Sequence, residues 1–312
     1  SAAISAGSSA VHGIFIDGGT TGNAYNNFIA QLNTPNASLA NGIMGIAIIS
    51  STVSTNYNLY HNSIYINAGS TGANFGSSGV YHVSNAVATT GALNMTNNII
   101  VNTSTPNGTG LTAAYRRADP TLTNYGSASD YNLFYAGTPS ANRLIFYDGT
   151  NSDQTMSAYK TRVSTRDANS ISDLPNFVSA TDLHLTANNC RINGRGTPLG
   201  TVTDDIDLDF RHPTTPDIGA DEFTAVGSII LAGVAGTAVC DDRAVDIAGT
   251  TYVTNVCDLI ARVIPSGGDP VTGNINVCVT LDAAQLYFNG EPYVQRHFDL
   301  EPVTGNQTST SA

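Results

Sequence analysis

The chain has 312 residues, 41% of them hydrophobic and only 12% charged, with a net charge of −12. That length accommodates two domains and a sizeable core. An acidic chain with a single lysine, Lys160, excludes a basic groove for nucleic acid and attraction to an anionic membrane surface. No apolar run approaches the roughly 18 residues of a membrane helix, so no direct membrane insertion is expected. Gly, Ser, Thr and Asn supply the polarity, which suits an extracellular or cell-surface protein of strands and turns. The regular apolar segments and 14 tyrosines argue against disorder. The opening SAAISAGSSA lacks a basic region before an apolar stretch, so it reads as a mature end or as a cut from a longer chain.

Taken in chain order, the predicted elements are short strands in two interleaved series. The first is GIFID from Gly13, GIAII from Gly45, GVYHV from Gly79, TAAYR from Thr112 and LIFYD from Leu144. The second carries asparagines: NAYNNFIAQL, NLYHNSIYIN, LNMTNNIIVN and SDYNLFYAG. Matching Asn26, Asn62, Asn97 and Asn132 gives a repeat of about 35 residues, ambiguous by one at Asn97–Asn98. The segments are rich in Ile, Val, Tyr and Phe and bounded by turn formers, and none shows an apolar helical period. Two series sharing one period, with no helices between, predict a parallel β-helix in which each coil stacks on the last. Asparagine is a poor strand former. At a corner it tolerates the left-handed conformation, and inside a stack it bonds its counterpart on the next coil. Asn26, Asn62, Asn97 and Asn132 are therefore read as structural, against the plainer alternative of surface turn residues.

HNSIYIN, NNIIVN and SDYNLFY resemble the last coils of right-handed β-helix proteins secreted by Bacteroidota through the type IX system. DANSISDLPNFVSATDLHL resembles that family's exit segment, and TDDIDLDFRHPTTPDIGADEF its closing motif. The resemblance implies a right-handed parallel β-helix over residues 1–223, capped at its end by a closing segment of about residues 167–223. Beyond Phe223 the asparagine pattern stops. SIILAG, TTYVT, LIARVIP, NINVCVTLD and YVQRHFDLEP read as antiparallel strands, with Ile275, Val277, Val279 and Leu281 on one face. They resemble the Ig-like β-sandwich module that follows such β-helices. The resemblance implies that residues 224–312 form it, incomplete at its C-terminus, within a longer cell-surface protein.

Four cysteines, Cys190, Cys240, Cys257 and Cys278, show no zinc spacing. They suggest a disulfide in an oxidising compartment, Cys240–Cys257 being the first candidate and Cys257–Cys278 the next, against buried free thiols. The densest acidic cluster is Asp204, Asp205, Asp207 and Asp209. Its readings are a structural cap, with Arg211 paired to one or two aspartates and Asp217 beside it, a Ca²⁺ site, or catalytic carboxylates. Stacking could also gather His82, Arg117 and Asp148, with Arg116, Asp119 and Asp130 nearby, into a polyuronate-cleaving face. A net negative charge makes the chain a poor magnet for polyuronates. No nucleophile elbow or phosphate loop appears. The leading expectation is a non-enzymatic stalk, adhesin or filament module, with glycans or copies of itself as partners and no cofactor beyond Ca²⁺. The alternative is a carbohydrate-active enzyme, lyase or hydrolase, on the same scaffold.

Overall fold

The structure, a computed structural model, describes residues 4–5 and 7–223, and beyond them the strands within 238–302 named below. Strand β1 (Ile4–Ser5) precedes a first coil of β2 (Val11–Ile16), β3 (Thr21–Tyr25), β4 (Phe28–Ile29) and β5 (Leu32–Asn33). The second coil holds β6 (Ile43–Ile48), β7 (Asn56–Tyr60) and β8 (Ser63–Ile66). The third holds β9 (Ser77–His82), β10 (Ala92–Thr96) and β11 (Ile99–Asn102), and the fourth β12 (Thr112–Arg117) and β13 (Leu133–Tyr135). Strands β14 (Arg143–Tyr147) and β15 (Ser152–Asp153), helix α1 (Met156–Val163), and the hairpin β16 (Phe177–Ser179) and β17 (Asp182–Leu185) follow.

Corresponding strands stack in parallel into three sheets: β2-β6-β9-β12-β14, β3-β7-β10 and β4-β8-β11-β13. This is a parallel β-solenoid of about four turns. Each coil turns its apolar side chains inward: Ile46, Ile48, Leu59, Ile64, Val80, Met95, Ile100 and Phe134 share one core. In β7 the alternation is explicit, since Tyr57 and Leu59 are buried while Asn58 faces outward. The register corrects the expected alignment of the first series. Thr112 pairs with Ser77, not with Gly79, and Leu144 pairs with Ala113, not with Thr112.

The two ends of the stack differ. At the C-terminal end β15 runs antiparallel to β14. Helix α1, N-capped by the Thr155 side chain, lays Met156, Tyr159 and Val163 onto the core. There Tyr159 joins a cluster of rings with Tyr115, Phe134 and Phe146. The first coil differs: among the described residues no strand pairs with the outer edge of β2 or β3.

Contacts divide the chain into two units, residues 1–186 with 191–224, and residues 187–190 with 225–312. In the second unit β18 (Ala238–Ala244), β21 (Asn274–Leu281) and β24 (Arg296–Pro302) form an antiparallel sheet. Strands β19 (Thr251–Asn255) and β20 (Asp258–Val263) pair antiparallel, as do β22 (Tyr287–Phe288) and β23 (Glu291–Pro292). The antiparallel character agrees with the sequence, and a complete two-sheet sandwich goes beyond these strands. Of the candidate disulfide, Cys257 lies outside the described residues, as does the side chain of Cys240.

Candidate functional site

The asparagines occupy two adjacent columns, not one. In the first, Asn26, His61, Asn97 and Tyr131 take positive φ angles of 52°, 49°, 59° and 58°, the left-handed corner between consecutive strands. In the second, a ladder runs through the interior: Asn27 Nδ2 donates to Asn62 Oδ1, Asn62 Nδ2 to Asn98 Oδ1, and Asn98 Nδ2 to Asn132 Oδ1. Asn132 Nδ2 then donates to Asp167 Oδ1, which ends the ladder. Asn62, Asn98 and Asn132 are fully or almost fully buried. Matching Asn26 with Asn62 and Asn97 with Asn132 therefore mixed corner and ladder positions. Asn27, Asn98 and Asp167 were missed, although the doublets Asn26–Asn27 and Asn97–Asn98 carried the signal.

The set His82, Arg117 and Asp148 does not form an open face. His82 and Arg117 are buried, with Arg117 Nη1 2.6 Å from His82 Nδ1 and Nη2 donating to Thr121 O and Asn124 Oδ1. Burial and the Arg117 charge push the His82 imidazole down to about 3, so it is neutral. The neutral ring fits its partners: Nε2 faces Gly91 O at 2.7 Å as a donor, and Nδ1 accepts from Arg117. Asp148 instead accepts from Thr150 and Asn151 in its own turn. Arg116 lies over the Tyr147 ring, Asp119 caps the turn at Thr121, and Asp130 accepts from Asn169.

The closing segment is a strap along the flank of the solenoid, not a cap on its end. Gly219 N–H donates to Asn97 O, Ala220 N–H to Ser63 Oγ, and Thr197 N–H to Asn97 Oδ1. Beneath it Ile192, Ile218 and Leu185 pack on the outward residues Ile99, Val101 and Leu133 of the third sheet. At these left-handed corners Asn26 and Asn97 present their side-chain amides, and Asn97 its carbonyl, to the strap. Arg211 is the main clasp. It donates to Asp204 O, Asn26 Oδ1, Gly219 O and Ala220 O, and its Nη1 lies 3.3 Å from Glu222. Asp217 accepts the N–H groups of Gly194 and Phe223, and burial pushes its carboxyl up to about 7. His61, behind the strap, donates from Nδ1 to Gly219 O and accepts at Nε2 from Asn97 Nδ2. Burial and then Arg211 hold it at about 3.

The four aspartates proposed for Ca²⁺ are divided among different tasks. The Asp205 carboxylate is buried and accepts the N–H groups of Asp207, Asp209 and Glu222, which closes a turn. Asp204 contributes its backbone carbonyl to Asn26 and Arg211. Only Asp207 enters a mixed cluster, with His184 and Asp221, whose ligand atoms lie within 4.8 Å of one another. His184 and Asp221 were not singled out in the sequence, because 37 residues separate them and only the strap joins them. No known family, curated protein or solved structure matches the chain.

Proposed function

We propose that the chain is a non-enzymatic structural module of a large extracellular or cell-surface protein, a solenoid segment of a stalk, adhesin or filament. The observation that carries this reading is the unequal pair of ends. One end is closed by β15, α1 and Asp167. At the other, β2 and β3 flank a groove of about 420 Å³ lined by Ile14, Ile16, Gly22, Ala24 and Tyr57. An open sheet edge beside an apolar interior is a surface that stacked repeats cover with another repeat. The occupant that fits is a preceding coil of the same pattern. Asn23 already bonds Asn58 on the outer face of β3 and β7, and Asn27 bonds Asn62 in the ladder, so asparagine pairing reaches this edge both outside and inside. Strand β1 already pairs in parallel on β5, in the direction a preceding coil would take.

The second unit, on this reading, is an Ig-like sandwich that continues the extracellular chain. Cys278 is disulfide-bonded and stands opposite Cys240 in the backbone register, as an oxidising compartment allows. The relation to the right-handed, type IX-secreted β-helix proteins of Bacteroidota belongs to the same proposal. It rests on the closing motif, whose Arg211 and Asp217 hold the strap.

Two measurements test the reading. Immunogold labelling of intact source cells should place the protein on the outside. The purified chain, offered neutral and acidic polysaccharides, should release no new chain ends. Internal labelling, or depolymerisation lost on substituting Arg116 and Asp119, would sink it.

A further inference from the structure

We infer that His184, Asp207 and Asp221 form a binding site for a divalent transition metal of the zinc class, with Asp182 positioning the histidine. Strand β17 supplies Asp182 and His184, and the strap supplies Asp207 and Asp221. One imidazole nitrogen and two carboxylate oxygens are the borderline-soft ligand set that zinc takes, and coordination leaves room for water. Hard Ca²⁺ prefers six or more oxygens and gains nothing from the imidazole.

The placement of the two ring nitrogens of His184 fits a metal at Nε2. Nδ1 meets Asp182 Oδ1, and Nε2 lies 2.8 Å from Asp207 Oδ2. Without a metal, an imidazolium with an N–H on each nitrogen satisfies both carboxylates. A metal ion would take the place of the Nε2 proton, since the His184, Asp207 and Asp221 ligand atoms already lie within 4.8 Å of one another. Asp182 then takes the Nδ1 proton, the carboxylate–histidine–metal arrangement that fixes ring orientation in known zinc sites.

The remaining contacts pre-position the ligands. The Phe28 ring stands edge-on to the imidazole, with centroids 4.9 Å apart. Asp221 is buried, and its Oδ2 accepts the Leu185 N–H at 2.6 Å. The Asp207 backbone is fixed by the Asp205 carboxylate. Asp207 itself is exposed, which gives an ion a path from solvent. Bound there, the metal would tie the strap to the β16–β17 hairpin.

The test is titration of the chelator-treated 312-residue chain with Zn²⁺ alone, and with Co²⁺ as a spectroscopic probe. The expected result is one equivalent bound per chain, with a visible Co²⁺ band typical of nitrogen and oxygen ligands. His184→Gln and Asp207→Asn should abolish the band. Asp182→Asn should keep it and weaken affinity by about 10- to 100-fold, as losses of such supporting carboxylates do. Circular dichroism confirms that each variant folds. Three results would overturn the inference: no binding by the intact chain, binding and band unchanged in His184→Gln, or thiolate-to-cobalt charge transfer, which would place the ion on cysteine.

Discussion

At the residue scale, the chain converts polar side chains into internal supports. An asparagine amide carries both a donor and an acceptor, so identical residues can bond along a stack without end. Asn98 shows the full use: its Oδ1 accepts from Asn62, and its Nδ2 donates to Leu59 O and Asn132 Oδ1. Asn98→Ala should destabilise the first unit by about 2–4 kcal/mol, since several buried partners lose their bonds together. Asn98→Asp keeps the shape but replaces a donor with an acceptor facing two oxygens, so it should do no better. Urea unfolding of both variants checks this, and a clearly milder loss in Asn98→Asp would contradict the ladder. Aspartate suits only the last rung. Asp167 accepts from Asn132, Ser170, Tyr125 and Tyr159, so every partner is a donor.

Asp217 gives a pH dependence at the same scale. Burial raises its carboxyl to about 7, against the pull of the Gly194 and Phe223 N–H groups. An acid with a raised folded-state pKa binds its proton more tightly folded than unfolded. Its stabilising effect is complete below the ordinary carboxyl range and is lost as pH rises through about 7. His61 and His82 act in the opposite sense. Both are held near 3, so they favour the folded state above about 6.5 and oppose it as pH falls. The bare pH profile therefore mixes two signs. The difference between wild type and Asp217→Asn isolates one: the melting temperature of wild type should lose ground to the variant between pH 5 and pH 8. A constant difference across that range would refute the assignment.

At the element scale, the coils need a column of small residues where strands of the first sheet face the third. A Cβ on Gly45 would lie 2.5 Å from Gly79 O and 2.6 Å from Ile64 Cγ2, and one on Gly79 would meet Ile100 Cγ2 at 2.4 Å. Gly45→Ala should therefore cost about 1–3 kcal/mol, as overpacking of a closed core does, and Gly45→Val should prevent folding of the first unit. Thermal melts and soluble yield measure both, and a Gly45→Ala protein as stable as wild type would show that the coils can shift apart. The recurrence of Gly13, Gly45 and Gly79 was plain in the sequence, and it located β2, β6 and β9. The next member of the column is Ala114, not Thr112, because the third turn is longer and alanine replaces glycine there. Period and strand character were thus legible from local pattern, while register was not, since one inserted residue leaves the apolar pattern readable in either alignment. The strap was legible as a motif but not as a place. Its partners Asn26, Ser63 and Asn97 are 100 or more residues away, and nothing local to Arg211 names them.

At the scale of the whole molecule, a stack of coils behaves as a one-dimensional array, in which each layer is stabilised by the neighbours it touches. Among the described residues, strands β6, β9 and β12 are hydrogen-bonded on both edges, whereas β2 is bonded on one. The C-terminal end is protected by α1, and the flank by the strap and its Arg211 clasp. Opening should therefore begin at the first coil and move inward. Amide hydrogen exchange of the intact chain should show β2 and β3 exchanging at least about tenfold faster than β9 and β10, with protection rising coil by coil. Arg211→Ala leaves Glu222 without its cation and several carbonyls without a donor, so it should release the strap at a cost of about 3–5 kcal/mol. Exchange in residues 191–223 should then rise while β9 stays protected. The two results separate two architectures. If protection is equal from β2 to β12, the molecule opens all at once, and its free edge is no place for another coil to dock. If β2 alone is labile, that edge has the fraying expected of a surface built to be covered.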